Sequence, residues 1–346
     1  MADAVGVSRS TVSNAYSRPD QLSSALRERI LAAARQLGYP GPNPTARSLR
    51  RGFVGSIGVL FTSQLSYAFT DPFAVRFLAG VGTATERHGT SMLLVPLPKE
   101  QVDARRAVEN AAVDGFCVYC VADEEWALDV IRARGLPYVS TAVRDDAAAD
   151  ERFVGIDERA AAHSVAAHVA GLGHRRVALL VDSVLPDAPA GPVTLSGFDR
   201  APHPTTRGRL AGFADAFAEV GVGWSELTLL NAPGNSGHAA SAAVAGLFDR
   251  PEPPTAVLAG SDVLALGVLD ALARRPGGSP PVSVTGFDDV PEAAAAGLTT
   301  VRQPAQEKGR IAAELLLDPP TDAAAGHVLL PTELVVRAST GPHLRS

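Results

Sequence analysis

The sequence is poor in cysteine: the only two, Cys117 and Cys120, form a CxxC pattern inside an apolar segment. Residues three apart on a strand point to opposite faces, and no second Cys or His pair lies nearby to complete a zinc site. We therefore predict a buried strand with two unreactive thiols, and neither a metal site nor a redox pair.

Long apolar runs are also absent. No stretch of about 18 apolar residues occurs, so a membrane span is not indicated. The first residues lack a basic segment followed by an apolar one, so a signal peptide is not indicated either. We expect a cytoplasmic protein that does not bind membranes.

Catalytic patterns are missing as well. The chain has no GxSxG, its eight histidines show no metal-ligand spacing, and the segment GVGTATERHG has too few glycines for a phosphate loop. Neither Cys117 nor the pair Ser261 and Asp262 has a base at a recognisable spacing. We do not expect an enzyme, and we predict no cofactor.

Charge is distributed unevenly along the 346 residues, a length that suggests two or three domains. Residues 1 to 52 contain eight arginines against three acidic residues, a net charge of +5, whereas the remainder has a net charge of −11. A basic head on an acidic body indicates a polyanionic partner for the head alone.

Residues 1 to 40 contain two short helical patterns. Ser8 is a candidate N-cap for the first, which has apolar residues on one face and polar and cationic residues on the other. The second is predicted from Ser23 or Ser24 to Leu37, with Gly38 as its stop. Two short helices around a glycine-containing turn favour a helix-turn-helix that binds DNA. The alternative is a solvated polar face on a small helical cap.

Residues 43 to 52 form a shorter helical pattern with a signal at each end. Asn43 suits an N-cap, Pro44 the first turn, and Gly52 the left-handed position after the helix. The segment is below the ~12–15 residues that an isolated helix needs in water, and Leu49 is its only sizeable apolar side chain. We predict a hinge at residues 41 to 53 whose helix forms only against a partner.

The run VSRSTVSNAYSRPDQLSSALRERILAAARQLGY, followed by PNPTARSLRRG, strongly resembles the headpiece of the LacI/GalR family of bacterial transcription regulators. Relative to the family, we expect a truncated first helix and one additional residue before Asn43. The resemblance implies contacts with double-stranded operator DNA. Arg9, Ser10 and Asn14 match positions that read base edges, and Ser8, Thr11 and Ser13 lie where the family holds phosphates. Ala46 and Leu49 match hinge positions that enter the minor groove.

From residue 54 onward, strand-like and helix-like segments alternate, which predicts parallel sheets covered on both faces and, at this length, two lobes. The predicted strands are 54 to 61, 91 to 96, 114 to 121, 137 to 142, 153 to 156, 176 to 182, 255 to 260 and 282 to 287. The predicted helices are 73 to 89, 101 to 112, 124 to 134, 158 to 171, 206 to 220, 236 to 249 and 262 to 274.

The segments GLGHRRVALL, RGRLAGF, TAVLAGSDVLALGVLDAL, VSVTGFDD, LTTVRQP and LPTELVVRAST resemble the family's effector-binding core, which has the two-lobed fold of periplasmic sugar-binding proteins. The resemblance implies three crossings between lobes, which we place near 156 to 160, 287 to 291 and 319 to 328. The N-lobe then comprises about 54 to 156 plus 289 to 320, and the C-lobe about 157 to 288 plus 328 to 340.

The resemblance also implies a small-molecule effector, by default a sugar, at the carboxyl ends of the strands between the lobes. Arg209, Ser261 and Asp288 match effector-contacting positions, and Asp262 is adjacent to one of them. Four further candidates lie after the first strand or across the cleft from it: Phe69, Asp71, Phe73 and Asp157.

Each candidate has a structural alternative. Asp157, Asp262 and Asp288 are also suited to capping helices, Arg209 to a surface ion pair, and Phe69 and Phe73 to the core.

The long segment from Ser183 to Thr206 is rich in proline and glycine and is predicted to be a flexible surface loop or a flap over the cleft. No leucine heptad follows Arg337, so a homodimer is expected.

The sequence thus predicts a DNA-binding transcription regulator, most simply a repressor, controlled by an effector. The competing reading is a two-lobed sugar-binding protein whose DNA binding is impaired by the truncated headpiece.

Overall fold

The computed structural model of the protein describes residues 1–41, 52–61, 65–97, 101–119, 121, 125–143, 151–185, 187–275 and 281–343. They fall into two compact units, Met1–Gly55 and Ser56–Ser346. The predicted hinge residues Asn43, Ala46 and Leu49, and the second cysteine, Cys120, lie outside the described residues. No helix among the described residues is long and apolar enough to cross a membrane.

The first unit is a bundle of three helices, α1 (Ala2–Val5), α2 (Arg9–Ser17) and α3 (Ser24–Gln36). The predicted cap of α2 is present, because Ser8 Oγ accepts a hydrogen bond from the Thr11 amide. Ser23, one of the two predicted starting residues of the second helix, is the N-cap of α3, because its Oγ accepts a hydrogen bond from the Leu26 amide. Gly38 adopts a positive φ of 62° just after α3, as a helix stop requires. The core of the unit is small and is built around Val5, Val12, Ala15 and Ile30.

The second unit contains ten helices among the described residues. They are α4 (Tyr67–Thr70), α5 (Pro72–His88), α6 (Gln101–Asn110), α7 (Glu125–Ala133), α8 (Glu158–Gly171), α9 (Pro204–Ala218), α10 (Gly237–Ala243), α11 (Asp262–Ala273), α12 (Pro291–Ala295) and α13 (Ala305–Leu317).

Its strands, in the same residues, are β1 (Ser56–Phe61), β2 (Ser91–Pro96), β3 (Phe116–Val118), β4 (Tyr138–Ser140), β5 (Arg152–Gly155), β6 (Val177–Asp182), β7 (Gly191–Pro192), β8 (Thr228–Ala232), β9 (Ala256–Ala259), β10 (Ser283–Thr285), β11 (Thr300–Arg302), β12 (His327–Leu329) and β13 (Glu333–Val335).

Eleven of these strands form two sheets, one in each lobe. The N-lobe sheet has the order β12-β5-β4-β3-β1-β2 and is parallel throughout. The C-lobe sheet has the order β10-β9-β6-β8-β7 and is parallel except for the edge strand β7. A short antiparallel pair, β11 with β13, lies where the chain passes between the lobes.

Helices cover both faces of each sheet. In the N-lobe, α5 and α13 pack on one face and α6 and α7 on the other. In the C-lobe, α8 and α9 pack on one face, and α10, α11 and α12 on the other. The predicted fold class, a helical headpiece followed by a two-lobed core of doubly wound parallel sheets, is therefore confirmed.

Two of the predicted lobe boundaries need correction. The segment 289 to 299 was assigned to the N-lobe, but Val290, Ala293 and Leu298 belong to the C-lobe core. The carboxylate of Asp262 holds this segment there by accepting hydrogen bonds from the Val290 amide and Thr300 Oγ1. The second crossing therefore lies after β11 rather than near 287 to 291. The third crossing lies after β12, because β12 pairs with β5 and therefore belongs to the N-lobe.

The segment after β6 is held against the C-lobe. Asn231 on β8 is fully buried and holds this segment, donating to the Ala188 and Pro189 carbonyls and accepting from the Leu185 amide. Trp224 donates to the Leu195 carbonyl. These hydrogen bonds and the pairing of β7 with β8 position the described part of the segment, and its role as a surface loop or as a flap over the cleft stays a prediction.

Cys117 lies on β3 with no exposed surface. Burial raises the pKa of its thiol to about 12, so the thiol stays protonated and unreactive at neutral pH.

Candidate functional site

The exposed end of α2 is the candidate DNA-contacting surface of the headpiece. Ser8, Arg9 and Ser10 are exposed, and Thr11, Ser13 and Asn14 are partly exposed. The hydroxyl of Ser8 lies 2.6 Å from Ser10 Oγ and 2.8 Å from Thr11 Oγ1, which gathers three hydroxyls at the first turn of the helix. Asn14 Nδ2 lies 3.4 Å from Gln21 Oε1, a weak contact that a better partner can replace.

On the N-lobe side of the cleft, Asp71 is the best-placed candidate. It is 4% exposed and caps α5, with Oδ1 accepting from the Ala74 amide at 2.8 Å. Burial raises the pKa of its carboxyl and the nearby charge of Asp182 raises it further, while the hydrogen bonds from the Ala74 amide and the Tyr67 hydroxyl oppose the rise.

The two N-lobe phenylalanines have different environments. Phe73 is buried in the N-lobe core beside Tyr119, as the structural alternative proposed. Phe69, on the short helix α4, is 64% exposed.

Arg209 is a partly buried residue on α9 whose guanidinium has partners on three sides. It donates through Nε to Glu158 Oε2 at 2.7 Å and through a terminal nitrogen to the Gly260 carbonyl, and it lies 3.8 Å from the centre of the Phe287 ring. Since the side chains of Arg209 and Glu158 are only 15% and 11% exposed, the alternative of a surface ion pair does not describe the contact.

The C-lobe acids divide into structural and cleft-facing groups. Asp157 is exposed and caps α8, accepting from the Ala160 amide at 2.8 Å. Asp262 is fully buried, and both its oxygens hold the Val290–Thr300 segment, so it is neither a helix cap nor available to a ligand. The N-cap of α11 is its neighbour Ser261.

Asp288 has an unusual backbone and a strongly perturbed carboxyl. Its φ is 123°, a region that L-residues rarely occupy and that is found where a site constrains the chain. Burial raises the pKa of its carboxyl well above the usual range, and the charges of Asp262 and Asp71 raise it further while Arg209 opposes them. The charge of Asp71 acts on Asp288 from the other lobe.

Three residues of the cleft were not predicted. Asn235 donates through Nδ2 to Asp71 Oδ2 at 2.9 Å and accepts through Oδ1 from Ser261 Oγ at 2.5 Å, so it joins the two lobes. Gln303 is 3% exposed and donates to Asp288 Oδ1 at 2.6 Å. Asp182 ends β6. The rule that pockets form beyond strand ends points to Asp182 and to Asn235, which follows β8, but not to Gln303.

These features define a class of protein. A small helix-turn-helix unit with arginines and an exposed, capped second helix precedes a two-lobed α/β core with polar and charged residues between its lobes. This is the architecture of a DNA-binding transcription regulator.

Comparison with known proteins gives the family. Residues 1–43 match the family described as bacterial regulatory proteins, lacI family, and residues 166–340 match a periplasmic binding protein-like domain. The HTH-type transcriptional regulator Rv3575c of Mycobacterium tuberculosis is 41% identical over 352 residues, covering 99% of this chain and 96% of the relative. The chain belongs to the LacI family of transcriptional regulators.

Two solved structures agree. The crystal structure of a LacI-family transcriptional regulator from Corynebacterium glutamicum has a TM-score of 0.74 and 34% identity, covering 98% of this chain and 97% of that one. The complex of the transcriptional regulator CelR with cellobiose has a TM-score of 0.67 and 25% identity, covering 98% of each chain.

Proposed function

We propose that this regulator represses transcription by binding operator DNA through α2, and that a sugar or sugar derivative bound between the lobes controls the binding. The proposed DNA contacts are Ser8, Arg9, Ser10, Thr11, Ser13 and Asn14, with Asn43, Ala46 and Leu49 at the hinge. The proposed effector contacts are Asp71, Arg209, Ser261 and Asp288, because their polar groups border the space between the lobes. The regulator acts as a cytoplasmic homodimer and not as an enzyme.

One observation carries the effector proposal: Asn235 donates to Asp71 Oδ2 of the N-lobe at 2.9 Å and accepts from Ser261 Oγ of the C-lobe at 2.5 Å, so polar side chains of both lobes meet in the cleft. A carboxylate and a guanidinium together match the donors and acceptors of adjacent sugar hydroxyls. An effector that bridges Asp71 and Asp288 stabilises one relative position of the lobes. It can change the free energy of DNA binding only by the difference between its binding free energies for the two lobe positions.

The DNA contacts are tested with operator duplexes selected by the full-length protein from random sequences. Arg9→Ala removes a base-edge donor and is expected to lower specific affinity by about tenfold, since a bidentate arginine contributes about 1–3 kcal/mol of discrimination. Arg35→Ala, at the exposed end of α3, removes the same charge without touching α2. Equal losses in both variants, or an affinity that does not change with salt concentration, would contradict the proposal.

The effector contacts are tested by calorimetric titration of the sugars that raise the melting temperature. Arg209→Ala is expected to abolish binding. Arg159→Ala, which breaks the exposed pair with Asp215 on the same two helices, is the matched control and is expected to bind normally. Normal binding by the Arg209 variant would remove that residue from the site.

A further inference from the structure

Residues 337–343 lie along one edge of the C-lobe sheet. The outermost strand on that side is β10, and the amide of Val284 on this strand donates to the Ser339 carbonyl at 2.8 Å. Ser339 Oγ donates to the Val284 carbonyl at 2.6 Å, and the Gly341 amide donates to Ser283 Oγ at 3.1 Å. The segment 337–343 therefore covers backbone groups that an edge strand otherwise presents to other chains.

Histidines hold the last residues of this segment. His174, in the turn between α8 and β6, is 2% exposed, and its Nε2 lies 3.0 Å from the Gly341 carbonyl oxygen. Because a carbonyl oxygen can only accept, Nε2 carries a proton and donates it. On α8, His168 Nε2 lies 3.0 Å from Thr340 Oγ1. The third histidine, His343, belongs to the segment, and its ring centre lies 5.6 Å from that of His174.

The other ring nitrogen of His174 faces a hydroxyl. Nδ1 lies 2.8 Å from Thr255 Oγ1, which also lies 3.3 Å from the Arg176 carbonyl oxygen. In the neutral ring Nδ1 has no proton, so it accepts the shorter of the two hydrogen bonds open to the Thr255 hydroxyl. A second proton, on Nδ1, reverses this hydrogen bond and leaves the hydroxyl only the longer contact. The closed segment therefore matches the neutral form of His174.

Positive charge surrounds the ring of His174. Burial lowers its pKa, the hydrogen bond to the Gly341 carbonyl opposes the fall, and the charges of His343, Arg175 and His168 lower the pKa further. The pKa in the folded protein is thus below the value of about 6.5 for an exposed ring. The contribution of this ring to closure is therefore complete above that pH and is lost as the pH falls.

The two arginines of the same turn keep their charge. Arg175 donates to the Ala170 and His174 carbonyls, and Arg176 donates to the Pro253 carbonyl. Neither guanidinium forms an ion pair with a carboxylate in the described ranges. A second proton on His174 consequently adds charge to a region that is already positive.

We propose that the segment 337–343 is an acid-sensitive cover of the β10 edge, closed while His174 is neutral and opened when this ring takes up a second proton beside His343 and Arg175. Opening leaves the edge of the C-lobe sheet free to pair with another chain. The proposal involves neither the DNA contacts nor the effector contacts, so its test is independent of the proposed function.

The test is hydrogen exchange of the full-length protein, followed by mass spectrometry at pH 7.5 and pH 5.0 and corrected for the chemical exchange rate at each pH. The amides of Ser339, Gly341 and His343 report closure, because each donates a hydrogen bond to the C-lobe outside the segment. We expect their protection to fall about tenfold at the lower pH, the effect of one proton whose pKa differs by about one unit between the open and closed forms. Peptides from β6 and β9 report global stability and are expected to stay protected.

Variants assign the effect to one ring. His174→Gln keeps an Nε2 donor for the Gly341 carbonyl but does not titrate, so it is expected to lose most of the pH dependence. His163→Gln removes an exposed histidine of α8, which pairs with Glu219, and is expected to behave as the wild type. His343→Gln leaves His174 in place and removes one neighbouring charge, so its protection is expected to fall less at pH 5.0 than that of the wild type.

Equal protection of the segment at the two pH values in the wild type would overturn the proposal. The same fall in the His174 variant as in the wild type would overturn it as well. If the segment of the His174 variant is unprotected at both pH values, the His343 variant decides: a reduced fall supports the proposal, and an unchanged fall contradicts it.

Discussion

Asp262 shows how a residue next to a proposed effector contact can serve the fold instead. It follows the N-cap Ser261 at the start of α11 and has no exposed surface. Burial raises the pKa of its carboxyl to about 6, and the charge of Asp289 raises it further, although Thr300 and the Val290 amide donate to it. Ionisation of this carboxyl in the folded protein is therefore unfavourable, and it lowers the free energy of unfolding as the pH rises.

The pH dependence of stability follows from that pKa. A carboxyl whose pKa is higher in the folded protein than in the unfolded chain stabilises the fold at low pH and loses this contribution as the pH rises through about 6. Over pH 4 to 7 we expect the unfolding free energy of the wild type to fall by about 2 kcal/mol relative to Asp262→Asn, which has no proton to lose.

The measurement is denaturant unfolding of both proteins across that pH range. The comparison of the two cancels the contributions of acids with lowered pKa values, such as Asp215 and Glu307, which change in the opposite direction. The difference contains the titration of Asp262 and its effect on Asp288, whose pKa the charge of Asp262 raises. A difference in unfolding free energy between wild type and variant that does not change with pH would contradict the raised pKa of Asp262.

At the scale of elements, glycines set how closely the helices pack. A Cβ on Gly80 of α5 would lie 1.9 Å from the Gln306 carbonyl oxygen, and one on Gly309 of α13 would lie 1.9 Å from that of Phe77. A Cβ on Gly212 of α9 would lie 2.2 Å from the Arg159 carbonyl oxygen on α8. Both lobes therefore use a helix pair whose backbones meet directly, which leaves no space for a methyl group.

A substitution at one of these contacts should separate the helices. Gly309→Ala is expected to lower the unfolding free energy by about 3 kcal/mol, the upper part of the range for overpacking. Gly82→Ala on α5 is the control: nothing lies within 4 Å of its Cβ position, so the change is expected to gain up to about 1 kcal/mol of helix propensity. Similar unfolding free energies for the two variants would mean that the two helices can move apart without a loss of stability.

The elements that could be predicted from sequence are those that local pattern decides. β1, β6 and β9 are continuous apolar runs, and each was placed to within about two residues. β7 and β11 are two and three residues long, and they exist because distant strands pair with them. β8 is a short apolar run that was missed.

The site divides in the same way. Arg209, Ser261 and Asp288 were chosen through family resemblance, and each lies in or beside the cleft. Gln303 becomes part of it only through its contact with Asp288, 15 positions away. Asn235 follows the end of β8, and its contact with Asp71, 164 positions away, joins it to the other lobe. Such contacts depend on how the lobes and the crossings fold together, which no local pattern describes.

At the scale of the whole core, the two lobes are linked covalently by three crossings and non-covalently by Asn235. Its amide spans the cleft from Asp71 in the N-lobe to Ser261 in the C-lobe. Both partners are proposed effector contacts, so Asn235 occupies hydrogen-bonding groups that an effector would otherwise use. The relative position of the lobes depends on this bridge to the extent that the crossings allow rotation.

Asn235→Ala removes both hydrogen bonds and is expected to shift the distance between the lobes to longer and more varied values. The distance is measured by electron–electron double resonance between spin labels at two exposed positions, Glu86→Cys on α5 and Ala273→Cys on α11. Cys117 and Cys120 are replaced so that they carry no label, and labelled subunits are diluted with unlabelled ones. Ser236→Ala is the control, because Ser236 caps α10 within the C-lobe and makes no hydrogen bond to the N-lobe in the described residues. Among the described residues, Asn235 is the side chain whose hydrogen bonds join Asp71 of the N-lobe to Ser261 of the C-lobe. An unchanged distribution of label distances in the Asn235 variant would therefore mean that the crossings alone determine the distance between the lobes.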